Sequence, residues 1–196
     1  MTMSREAVAH QLAEAAHLQY PVRIRRDRDW WCEPVYGFVV SVSGRWVAVQ
    51  RLVDSVYIDG YEVLRINDIT DVDPDHQSDH VEKGLSSLGR PEVDFYLPAH
   101  ADTPDVLEAA ARHSVLVGIH LEMDGPTTML VGVITELRKR KFDIQLIGPR
   151  GEWVVDSTSW WYGDVTRVVL GNRYTLQLER FGDARPTRTS LERSNG

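Results

Sequence analysis

The feature that most constrains the fold is a repeat. The run Asp68-Ile69-Thr70-Asp71-Val72 returns 96 residues later as Asp164-Val165-Thr166-Arg167-Val168. The same offset lays Trp46 on Phe142 and Ala48 on Ile144, and about 30 residues ahead of each Asp-Ile/Val-Thr element a glycine stands in a strand-like run, Gly37-Phe38-Val39-Val40 and Gly132-Val133-Ile134. A period of 96 in a chain of 196 residues predicts two copies of one small unit, each large enough for a modest core. The expected division is 1–98 for the first copy, 99–184 for the second and 185–196 for a flexible polar tail.

The chain reads in the same order twice. Residues 4–19 carry Val8, Leu12, Ala15 and Ala16 at helical spacing behind a capping Ser4. Val22 to Arg25 alternates as a half-buried strand does, Tyr36–Val42 and Arg45–Leu52 form a hairpin across Ser43-Gly44, and Asp59-Gly60 is expected to turn the chain between two further strands. Residues 76–88 are expected to be a short helix and 89–102 a linker, with Val93, Phe95, Tyr96 and Leu97 as a possible short strand. Thr103-Pro104-Asp105 then opens a helix, with Thr103 as its cap. Strands are expected over Val115–Met123 and Met129–Leu137, with a turn at Asp124-Gly125-Pro126. A return through Phe142–Ile147 follows, then Trp153–Val155 and Trp160–Tyr162. A closing strand is expected at Tyr174–Leu178 and a frayed tail from Gly182. Short antiparallel strands of this kind close into a barrel or hide their edges against another sheet.

Helix followed by five short strands, with the strand glycines Gly37 and Gly132, the aromatic residues Trp46 and Phe142 one strand later, and closing elements at Ile69 and Val165, resembles the Sm-like class of small SH3-type β-barrels. The chain is also similar to bacterial proteins with paired barrels of this kind. The resemblance implies a mainly β fold of two tandem barrels, each preceded by an α-helix. The polar loop set and the Arg-Gly-like loop that bind RNA in Sm proteins have no counterpart here, so RNA binding is not carried over.

Composition narrows the function. Net charge is −7. Residues 1–98 hold 10 Lys/Arg against 16 Asp/Glu, and residues 99–196 hold 12 against 13. An acidic first half repels phosphate backbones. No apolar run approaches the roughly 20 residues needed to span a bilayer. The single cysteine, Cys32, forms no intramolecular disulfide. A cytoplasmic protein with no membrane partner, monomeric or homodimeric, is expected.

Three groups of residues are candidates for chemistry. Asp75, His76 and His80 have a spacing that suits a divalent metal if they share a helix face, but they read equally as a polar helix start. Trp30-Trp31 and Trp160-Trp161 are adjacent pairs, so that in a strand one ring points inward and one outward, giving either core or a stacking platform for a partner. Arg138-Lys139-Arg140-Lys141 at a hairpin tip is a solvated run or a phosphate contact. Phosphate-cradling, nucleophile-elbow and CxxC motifs are absent from the sequence. The expectation is therefore a non-enzymatic module without cofactor that binds another protein, in the manner of an adaptor or of an immunity protein whose acidic face meets a basic toxin. The alternatives are an Sm-like RNA-binding protein using residues 138–141, and a small-ligand or metal site in a cleft between the copies.

Overall fold

The computed structural model describes residues 3–26, 33–54, 56–74, 78–122 and 128–186. Among the described residues, ten strands form one antiparallel sheet. They are β1 (Pro21–Arg26), β2 (Val35–Ser43), β3 (Trp46–Val53), β4 (Tyr57–Arg65), β5 (Ile69–Pro74), β6 (Val117–His120), β7 (Met129–Leu137), β8 (Lys141–Leu146), β9 (Thr158–Trp161) and β10 (Arg167–Leu170). Four α-helices among the described residues accompany them: α1 (Arg5–Leu18), α2 (Ser78–Leu88), α3 (Thr103–His113) and α4 (Arg173–Phe181). The strand order is β5-β1-β2-β3-β4-β10-β6-β7-β8-β9, an open sheet with β5 and β9 at its margins. The first five strands in this order and the last five follow the same plan, helix first and last strand folded back beside the first. They join where β4 pairs with β10.

The ladders refine the repeat. Each long hairpin carries a bulge, between Val39 and Ser41 in β2 and between Ile134 and Glu136 in β7. Val47 pairs with Val42, and Phe142 with Leu137. Phe142 is therefore the counterpart of Val47 and not of Trp46, at an offset of 95. From β4 onward the offset is 96, and the 3-10 turns Ile66–Asp68 and Tyr162–Asp164 coincide under it. One residue inserted between the third and fourth strands separates the two offsets. Gly37 and Gly132 hold matching places: a Cβ would lie 2.1 Å from the carbonyl oxygen of Gln50 in one and of Gln145 in the other. The backbones approach there as they bend, and any side chain blocks the approach.

Two cores result. Val8, Leu12 and Ala15 of α1 close over Val22, Ile24, Val39, Val47, Val49, Leu64 and Val72. Val106, Leu107 and Ala110 of α3 close over Val117, Ile119, Phe142, Ile144, Val165 and Val168. The second core runs on across the β4–β10 junction to Trp46, Ala48, Tyr61 and Val63, because residues opposite one another in a ladder share a face. The ladder partners Val63 and Val168 thus lie in one core and the partners Leu64 and Arg167 on the other face.

Several expectations are corrected. Asp59-Gly60 lies inside β4 and not at a turn: Gly60 takes its positive φ of 68° at a bulge opposite Arg51, where its missing side chain admits the carbonyl of Leu170. The cap of α3 is Asp102, whose carboxylate accepts from the Asp105 N–H while Asp105 returns the bond, one residue before the expected Thr103. Residues 90–101 are neither a loose linker nor a strand. Phe95, Leu97 and Ala101 are buried against β2–β4, and Ser41 and Ser43 accept the N–H groups of Leu97 and Ala101. Tyr174–Leu178 is helical, within α4. Asn172 caps it by accepting from the Thr175 N–H, and Tyr174 and Leu178, four apart, face Leu116, Val131 and Ile147. Past Gly182 the chain is still docked: the Asp183 carbonyl accepts from the Trp153 indole at 2.8 Å, and Arg185 donates to Gln145 at 2.8 Å. Residues 187–196 of the expected tail, and the Asp124-Gly125-Pro126 turn, lie outside the described residues. None of the helices among the described residues is long and apolar enough to cross a membrane.

Candidate functional site

Where the two halves meet, a chain of charged side chains is buried on the face opposite the second core. Glu62, in the apolar run Tyr61–Leu64, has a fully buried side chain. It lies 3.0 Å from Arg51 Nη1 in its own half and 3.0 Å from Arg167 Nε in the other. Arg26 at the end of β1 donates twice to Glu122 just past β6, at 2.7 and 2.8 Å, with side-chain exposures of 1% and 3%. His120 lies among these groups with both ring nitrogens buried and unpartnered. Burial, and next the Arg167 charge, lower its pKa to about 3, so the ring is neutral at ordinary pH. Burial pushes the Glu122 carboxyl up, but the hydrogen bonds and charge of Arg26 outweigh it and hold the carboxyl below its ordinary value. This seam is a clasp between halves. Each carboxylate is matched by guanidinium across the junction, and a charge left alone there is expensive.

The second feature is the margin of the sheet at β9. Trp160 is half-buried against the second core, and its indole donates to Thr158 Oγ1 at 3.0 Å. Trp161 points the other way, 49% exposed, with Lys141 Nζ 4.1 Å from its ring centroid. The alternation expected of a tryptophan pair in a strand is thus present here. The Tyr162 N–H donates to the Arg140 carbonyl, and the Val154 N–H to the Leu146 carbonyl. Backbone groups alternate sides along a strand, so the even-numbered residues face β8. Within β9, the backbone N–H and C=O groups of Ser159 and Trp161 face outward.

The basic hairpin borders this margin. Arg138 is committed to Glu136 and Asp143, and Lys141 to the Trp161 ring. Lys139 and Arg140 are exposed. Beside them lies a polar cleft of about 650 Å³ lined by Arg138, Asp143, Gln145, Ser157 and Arg185. Its buried polar groups satisfy one another: Ser159 donates to Asp143, and Gln145 donates to the carbonyls of Val154 and Val155 and accepts from Arg185.

The remaining candidates are not brought together. His80 is exposed on α2. Its companions Asp75 and His76 lie outside the described residues, as do Trp30, Trp31 and Cys32. No group of three metal-binding side chains occurs among the described residues. The sequence reading missed the seam. Arg26 and Glu122 stand 96 positions apart, in unrelated contexts. The one available signal was an acid, Glu62, inside an otherwise apolar run.

Comparison with family models, with curated proteins and with solved structures finds no match to this chain.

Proposed function

We propose that the chain is a non-enzymatic, cytoplasmic protein-binding module, built as two Sm-like barrels fused at the β4–β10 junction, that takes its partner along β9. The tandem reading is supported by a helix and the same five-strand plan in each half, down to matching bulges and glycines. The observation that carries the binding reading is the unpaired margin of β9. Ser159 and Trp161 turn backbone donors and acceptors outward there, and the half-exposed Trp161 ring is held under a lysine. Such a margin accepts an extended segment by strand addition, with main-chain bonds for affinity and the aromatic ring for selectivity. A protein partner is favoured over RNA because Arg138 is neutralised by two acids, leaving the hairpin a smaller net charge toward phosphate.

The test is affinity capture from native lysate, with and without nuclease, using the wild-type chain, Trp161→Ala and Ser159→Pro. A protein retained after nuclease by the wild type and released by both variants is the expected result. RNA captured instead, and lost on nuclease or in moderate salt, would overturn the reading in favour of the RNA-binding alternative.

A further inference from the structure

We infer that the polar cleft beside the basic hairpin is a docking groove for an extended, basic segment of a partner protein, laid where the first half holds a segment of its own chain. This goes beyond the β9 reading and uses a different surface. In the first half, the face of the sheet opposite α1 is covered by α2 and then by residues 90–101. Arg90 opens that strap. Its Nε donates to the side chain of the buried Gln50 at 2.9 Å, and its guanidinium lies 3.8 Å from the Phe38 ring centroid. The strap then lays Phe95 against Tyr61, with ring centroids 5.3 Å apart, and donates the Leu97 N–H to Ser41 Oγ at 3.2 Å.

The second half repeats that opening. Arg185-Pro186 matches Arg90-Pro91, and Gln145 matches Gln50, at the offset of 95 that aligns the hairpins. Arg185 Nε donates to Gln145 at 2.8 Å, and in both halves the arginine follows its glutamine by 40 residues. Beyond Arg185-Pro186 lies the cleft of about 650 Å³. Its lining is the counterpart of the strap's seat. Thr135, Glu136 and Asp143 stand where Val40, Ser41 and Ala48 do, and Ser157 stands where Tyr61 does. The chemistry has changed with them. Val40, Ala48 and Tyr61, which meet apolar side chains, are replaced by hydroxyls and a carboxylate. The Ser41 hydroxyl, which accepts a main-chain N–H, is replaced by the Glu136 carboxylate, which is also an acceptor. Asp156 at the rim is exposed and has no polar partner among the described residues. Three carboxylates, Glu136, Asp143 and Asp156, thus face two guanidinium groups, Arg138 and Arg185. Alternate residues of an extended segment point the same way. One seated like the strap would bring one side chain over Ser157 beside Asp156, in the place of Phe95, and the next but one beside Glu136 and Asp143, in the place of Leu97. Lysine or arginine at these two positions meets the carboxylates, whereas apolar groups would desolvate them and acids would be repelled. The chain's own residues at the same offset, Ser190 and Glu192, supply no such cations, so the segment comes from a partner.

The test titrates a labelled peptide of alternating serine and lysine, about the length of the strap, into the full chain and follows fluorescence anisotropy, with a serine–glutamate peptide as its opposite. The expected result is saturable binding of the lysine peptide, weakening as salt rises, and no binding of the glutamate peptide. Asp156→Lys is expected to weaken binding about tenfold. Ser157→Trp, which fills the cleft from an exposed position without changing charge, is expected to abolish binding and leave the urea midpoint in place. Trp161→Ala is expected to bind the peptide as the wild type does. A full chain that binds neither peptide overturns the inference and gives the cleft to another occupant, the chain's own residues 187–196 or a small ligand. A lysine peptide held equally by the Ser157→Trp chain also overturns it, since attraction to the net charge of −7 would then suffice. So does a peptide released by Trp161→Ala, which would place it on β9. Loss of Trp161-dependent capture from lysate would remove the β9 reading and leave these cleft results standing.

Discussion

At the scale of single residues, the seam makes the sharpest expectations. Arg26→Met strands the Glu122 carboxylate in the interior and is expected to cost about 3–5 kcal/mol, measured by urea unfolding. The double change Arg26→Met with Glu122→Leu is expected to recover most of that loss, because two apolar groups leave no orphaned charge. His120 sets a pH dependence. Its native pKa of about 3 lies below the ordinary 6.5, so between these values the unfolded chain binds a proton the native chain refuses. Stability is therefore full above about pH 6.5 and falls as pH drops, by at most about 1.4 kcal/mol per unit. Glu122 adds its own loss only below its ordinary value of 4.5. Unfolding of His120→Leu followed from pH 7 to 5 is expected to lack the first slope; an unchanged slope would assign it to another group. Gly37→Ala and Gly132→Ala each push a methyl against a carbonyl oxygen and are expected to lose about 2 kcal/mol or more.

At the scale of elements, local signals sufficed where one period alone fitted and failed where two did. Ser4 and the Val8–Leu12–Ala15 stripe placed α1 correctly, since capping and 3.6-residue periodicity both act within one turn. Tyr174–Leu178 failed because Tyr174, Leu176 and Leu178 also alternate, and a short apolar run satisfies both periods. Asn172 as a cap, and the core patch of Val131 and Ile147, decide for the helix. Leu178→Ala is expected to cost about 2–3 kcal/mol, whereas Leu176→Ala, on the exposed side of α4, should change stability by no more than about 0.5 kcal/mol. A strand in place of α4 would put both leucines on one face and make the two losses alike. Asp59-Gly60 shows the same limit: the positive φ was legible, but whether it turns a chain or bulges a strand depends on the partner strand.

For the whole molecule, the continuous sheet carries the second core across the junction between the two halves. Trp46, Ala48 and Val63 belong to the first half by sequence and to the second core by packing. Residues 1–98 expressed alone would expose these side chains together with the β4 margin, and would leave Glu62 without Arg167. That fragment is expected to be unfolded or aggregated, while the full chain unfolds in one cooperative step when followed by both circular dichroism and tryptophan fluorescence. Two separate transitions in the full chain would show instead that the halves are independent.

The sequence by itself determined the repeated helix-then-strands order, the hairpins at Ser43-Gly44 and at residues 138–141, and the opposed faces of Trp160 and Trp161, because periodicity, caps and turn residues act over a few positions. It did not determine how the copies meet. That the fourth strand of one pairs with the last of the other, that Arg26 finds Glu122, and that residues 90–101 pack down instead of linking are long-range outcomes. Each depends on which surfaces remain uncovered once the local elements have formed, and only the tertiary structure decides that.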